Sequence, residues 1–98
     1  MVRVRVLSPL GQLLGLGQKT GSVLLEVPVG PDASLRDVFR HLAEEYPKFH
    51  GLAEAVPGDR LRTVHIAIDG RLVNEPDHSR VLVPDGAEVT LIMPYAGG

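Results

Sequence analysis

The feature that most narrows the fold is a single apolar stripe. In residues 34–46, SLRDVFRHLAEEY, the side chains of Leu35, Val38, Phe39, Leu42, Ala43 and Tyr46 recur at spacings of three and four, so on a helix they share one face. Ser34 stands where an N-cap accepts a hydrogen bond from the first turn. Asp37 follows three residues later, where a capping box needs an acid, and Pro47 closes the element. Such a face must be covered, yet the chain holds no second apolar-periodic helix of comparable length. Most of the remaining apolar residues alternate with polar ones. The stripe therefore has to lie across a sheet.

The strands follow from that alternation. Val2, Val4 and Val6 alternate with Arg3 and Arg5, which predicts a strand with valines inward and arginines outward. Residues 8–21 hold Pro9 and four glycines and read as a long turn, after which Val23, Leu25 and Val27 repeat the pattern; the two strands are expected to form a hairpin. Val64, Ile66 and Ile68 mark a third strand, and Asp69-Gly70 is a tight-turn signal leading into Arg71, Leu72 and Val73. A short apolar piece at residues 81–83 precedes the turn Pro84-Asp85-Gly86, and a final strand carries Val89, Leu91 and Met93 on one face. A further turn of helix is expected over residues 52–56. With a hairpin first and a right-handed crossover through the helix, the last strand pairs in parallel beside the first.

Ninety-eight residues, 44% of them apolar, suffice for one core and one domain spanning 1–98; with four aromatics that core is aliphatic. A net charge of -2, with the eight arginines and two lysines spread along the chain, argues against nucleic-acid binding by the chain alone. The absence of cysteine excludes disulfides, thiolate metal sites and a cysteine nucleophile. No apolar run approaches the roughly 20 residues of a membrane helix, and no charged segment leads an apolar one at the N-terminus. A soluble, cytoplasmic protein without membrane contact is expected.

Sites within the chain fare poorly. Gly15-Leu16-Gly17-Gln18-Lys19-Thr20 lacks the adjacent Gly-Lys pair of a phosphate loop, has Thr20 where a dinucleotide fingerprint wants glycine, and opens no helix; it reads as a hairpin loop. His41, His50, His65 and His78 have no metal-binding spacing, and no metal is expected. His41 falls off the helix stripe and is expected to be solvated, whereas His65 should alternate outward. No nucleophile–base–acid set or carboxylate pair can be argued from spacing. The chain is not expected to be an enzyme by itself.

Its last residues are another matter. After the final strand come Pro94-Tyr95-Ala96-Gly97-Gly98. A strand–strand–helix–strand–strand–strand order of this length, with the Pro84-Asp85-Gly86 turn before the last strand and a diglycine end, resembles the ubiquitin-like sulfur carriers: the small subunit of molybdopterin synthase, the thiamine-pathway carrier and the carriers of bacterial cysteine synthesis. Gly17-Gln18-Lys19 is similar to the longer, cysteine-synthesis kind. His65 departs from a position where many of these hold asparagine, and Tyr95 from one where many hold a smaller aliphatic residue.

The resemblance implies an α+β fold of the β-grasp, ubiquitin-like type: a mixed four-to-five-stranded sheet with one main helix. It also implies a chemistry. The Gly98 carboxylate would be adenylated by an ATP-using enzyme related to ubiquitin activators, converted to a thiocarboxylate with sulfur from a donor, and unloaded onto a sulfur-accepting synthase, of which the chain could be the small subunit. The chain itself would bind no cofactor; ATP belongs to the activating partner.

Elementary chemistry is compatible with that role. A flexible tail over residues 94–98, led by Pro94, Tyr95 and Ala96, reaches roughly 16–18 Å when extended, and Gly97 with Gly98 keeps its end narrow enough to thread into a partner. At neutral pH the terminal carboxyl, with an ordinary pKa of about 3.3–3.7, is ionised and nucleophilic but is no acylating agent until given a leaving group. Partner contact is expected on the sheet face opposite the helix, through Leu24 and Ile92, with Arg3 and Arg5 meeting an acidic rim; Ala67 and Thr90 share that face. Two alternatives stay open: a ubiquitin-like modifier joined through Gly98 to target lysines, and a non-covalent β-grasp binding module with an incidental tail.

Overall fold

A computed structural model describes residues 1–7, 22–50, 64–75 and 77–92. The alternating valines form strand β1, Val2–Leu7, whose Val2, Val4 and Val6 are fully buried. Strand β2, Ser22–Val27, lies antiparallel to it, in a register running from Val2 opposite Val27 to Leu7 opposite Ser22. Helix α1, Leu35–Glu45, begins where the capping box places it. Asp37 N–H donates to Ser34 Oγ (3.1 Å), and Ser34 N–H donates to Asp37 Oδ2 (2.9 Å). Leu35, Val38, Phe39, Leu42 and Ala43 are buried beneath it, with Tyr46 half-buried at its end.

Strands β3, His65–Ile68, and β4, Arg71–Leu72, form a hairpin around Asp69 and Gly70, both at positive φ (50° and 84°), as the Asp-Gly signal requires. Strand β5, Glu88–Ile92, pairs in parallel with β1 and antiparallel with β3, giving the order β2-β1-β5-β3-β4. The last of the five described strands thus sits in the middle of the sheet. One helix packed across this mixed five-stranded sheet is the β-grasp fold.

Three details depart from the sequence reading. The piece at residues 81–83 makes only an isolated bridge, Leu82 to Ser34, instead of a strand: Leu35 N–H donates to the Val81 carbonyl (2.7 Å) and Val83 N–H to that of Ala33 (2.9 Å). It braces the approach to the helix from both sides. Phe49, in a short 3-10 turn over Pro47–Phe49, is fully buried and meets the Phe39 ring at 6.4 Å, so the core continues past the helix stop at Pro47. His41 is half-buried, not fully solvated. The long turn at 8–21, with its glycine-rich loop, and the helical turn at 52–56 lie outside the described residues.

Candidate functional site

The alternation that buries Val2, Val4, Val6, Val89 and Leu91 under the helix turns every intervening side chain to the open face. The registers align those side chains into rows. One row crosses all five strands: Leu24, Arg5, Thr90, Ala67 and Leu72. Beside it runs a charged row in which Arg3 stands between Glu26 and Glu88. On the other side Ile92, the last described residue of β5, faces His65 across the strands.

The expected face is therefore assembled, with Leu24 (45% exposed) and Ile92 (38%) both open to solvent. Leu72, at 58%, joins them; the Asp-Gly turn places it opposite Ala67, and that signal could have found it. Met1 and Leu82 are the other exposed large apolar residues among those described, and neither lies within one of the five strands.

Arg3 and Arg5 differ in what surrounds them. Arg5 Nε donates to Glu88 Oε2 (3.1 Å), its Nη2 to Oε1 (3.5 Å), and its Nη1 to Ser22 Oγ (3.0 Å). It is tied down within the chain, and its hydrogen bond holds the Glu88 carboxyl below the usual carboxylate range. Arg3 is exposed. The arginines expected to select an acidic partner thus face acids of their own chain, and the apolar residues are the less committed part of the surface.

His65 is exposed at the end of the face where β5 stops. His78 lies elsewhere: it stands edge-on to Phe39 at 5.8 Å, beside the helix, and burial holds its pKa below the ordinary value while Asp77 opposes that shift. Its Nδ1 is enclosed without a hydrogen-bond partner among the described residues. No group of three or more His, Asp or Glu converges there to hold a metal ion, and no helix is long and apolar enough to cross a membrane; both statements are made of the described residues. An open groove of about 540 Å³ between β4 and Leu82 lies at the opposite end of the sheet from Ile92. Pro94, Tyr95, Ala96, Gly97 and Gly98 lie outside the described residues.

The fold has solved counterparts. SAMP1 from Haloferax volcanii superposes with a TM-score of 0.66 at 18% identity, over 99% of this chain and 98% of that one. CysO from Mycobacterium tuberculosis gives 0.61 at 22%, over 92% and 97%. A candidate molybdopterin converting factor subunit 1 from Pyrococcus furiosus gives 0.55 at 27%, over 96% and 99%. The curated protein sequences give no match. The ThiS family matches residues 17–98, which takes in the helix, four of the five strands and the terminal glycines. With most of its length matched and a mixed sheet built around its last strand, the chain belongs to the ThiS family of ubiquitin-like sulfur carriers.

Proposed function

We propose that this chain is a sulfur carrier protein whose Gly98 carboxylate is adenylated by an activating enzyme and then converted to a thiocarboxylate that donates sulfur in a biosynthetic pathway. The observation that carries this reading is the family match, which runs through residue 98 and so includes Pro94-Tyr95-Ala96-Gly97-Gly98. The sheet supports it. β5 is held on both sides, by β1 and β3, so a tail leaving Ile92 can be drawn into a partner while the strand that bears it stays in place.

In the first step the Gly98 carboxylate attacks the α-phosphate of ATP on the activating enzyme, and pyrophosphate leaves. In the second, sulfide from a sulfur donor attacks the acyl carbon and AMP departs, leaving a thiocarboxylate on a chain that contains no cysteine. A synthase then receives the sulfur, in molybdopterin, cysteine or another sulfur-containing product. The chain contributes the reacting carboxyl and a docking face on which Leu24, Ile92 and Leu72 make apolar contact and Arg3 a polar one, while Arg5 stays bound to Glu88.

The test is direct. Incubated with an activating enzyme, ATP and a sulfur donor, the protein should gain the mass of one oxygen-to-sulfur exchange, and deletion of Gly98 should abolish that gain. Unchanged mass under conditions that adenylate a known carrier would refute the proposal. Lysine-linked conjugates without free thiocarboxylate would point to a modifier, and full partner function after Gly98 deletion to a binding module.

A further inference from the structure

The sheet has two outer strands, and they are unequal. β4 is two residues long, whereas β2 runs for six, and among the described residues nothing pairs with its outer edge. That edge is apolar. Val23 and Leu25 are only half-buried on the helix side, Leu24 is exposed on the open side, and Glu26 is the single charge along the strand. Such an edge offers unpaired backbone groups to another strand.

Which groups it offers follows from one bond. Arg3 N–H donates to the carbonyl of Ala87 (3.0 Å), on the β5 side. The N–H and C=O of a residue point to the same side of a strand and alternate along it, so Val2, Val4 and Val6 aim at β2. Their partners Val27, Leu25 and Val23 aim back. Ser22, Leu24 and Glu26 therefore direct their backbone N–H and C=O outward.

We infer that a second copy of this chain pairs here, β2 to β2, antiparallel about a two-fold axis through Leu24. That register places Leu24 against Leu24 of the second copy and Ser22 against its Glu26. The outward groups then meet in three facing pairs, each able to exchange both backbone hydrogen bonds. Val23 comes opposite Leu25 of the second copy on the helix side, covering both half-buried residues. The charges agree as well. Arg5 donates to Ser22 Oγ, so Glu26 of the second copy, lying across from Ser22, arrives beside the Arg5 guanidinium. A two-fold through Glu26 would oppose Glu26 to itself, and one through Val23 or Leu25 would bring only two facing pairs of outward groups together within Ser22–Val27, against three here.

The product is a continuous ten-stranded sheet with both helices on one face. Its two β5 strands run in opposite directions, five strand spacings or about 24 Å apart. Ile92 of each copy remains uncovered, and the two lie at opposite ends of the sheet, so a partner can reach each β5 end separately.

Sedimentation velocity on the full chain from micromolar to millimolar concentration, with amide hydrogen exchange by NMR, tests this. The expected result is a reversible shift to twice the single-chain mass, accompanied by slowed exchange at the Leu24 and Glu26 amides; Val23 and Leu25 should be protected at every concentration. Leu24→Lys sets two like charges together on the axis and should weaken association by on the order of tenfold or more. A chain that stays monomeric overturns the inference, whether water or residues 8–21 of the same chain covers the edge. So does a dimer whose Leu24 and Glu26 amides exchange as freely as in dilute solution. Should Leu24→Lys fail to fold, the exchange pattern of the unaltered protein still decides.

Discussion

Replacing Phe39 with alanine tests the core and reports on a second group at the same time. The ring is fully buried, 6.4 Å from that of Phe49 and 5.8 Å from the imidazole of His78, and so joins the helix to two segments that follow it. Removing a buried phenylalanine costs about 3–5 kcal/mol in lost transfer energy and residual cavity. A domain of this size has about 5–15 kcal/mol in total. Phe39→Ala should therefore lower the urea midpoint by more than about 1 M, given an m-value of about 1–3 kcal/mol per molar. Opening the space beside His78 should also let its pKa climb back toward the ordinary 6.5, because burial is what depresses it. The two readouts are urea denaturation followed by circular dichroism and an NMR titration of the imidazole. Phe39→Leu, which keeps the site filled, should move both much less. If Phe39→Ala costs under about 1 kcal/mol in a chain that still folds, the ring does not close the core as described.

Ser34→Ala leaves the Asp37 N–H without its cap and should cost about 1 kcal/mol, seen as a fall of about 4–8 °C in the melting temperature; an unchanged melting curve would show that the cap contributes nothing. Stability should also fall on acidification from about pH 6.5, since folded His78 resists a proton that the unfolded chain accepts. A second decline follows at lower pH as Glu88 and Asp77, whose pKa values are held down by Arg5 and Ser79, become protonated. In His78→Leu the first decline should vanish, and its persistence would count against the assignment. Ile92→Glu should weaken binding to the activating enzyme at least about tenfold while leaving the fold intact, because the side chain is already 38% exposed; calorimetric titration with equal affinity would remove Ile92 from the docking face.

What could be read from the residues were the elements whose signals are local. The capping box around Ser34 and Asp37, the stripe from Leu35 to Ala43, the Asp69-Gly70 turn and the valine alternation each lie within a few residues, and each appears as expected. The parallel pairing of β5 beside β1 follows from a handedness rule applied to the helical crossover, and the register of Arg3 with Glu88 bears it out; that β3 closes on the other side of β5 is seen only in the structure. Contacts between distant segments were not legible. Nothing about residues 81–83 shows that they brace the helix start, and nothing at Phe49, beyond a proline, shows that it completes the core. Arg5 was expected to face a partner, and only the strand registers reveal that Glu88 and Ser22 claim it. Of the candidate site, the open face was readable from alternation, apart from Leu72; the tail was readable as composition.

The middle position of β5 bears on biogenesis. The strand that joins β1 to the β3–β4 hairpin is the last of the five described strands to leave the ribosome, so the two halves of the sheet stay apart until it has been made. A product truncated before β5 lacks the strand that pairs with both β1 and β3, and leaves the backbone edges of both strands open. A molecule that has acquired this five-stranded sheet has therefore been made at least as far as Ile92, the last described residue of β5.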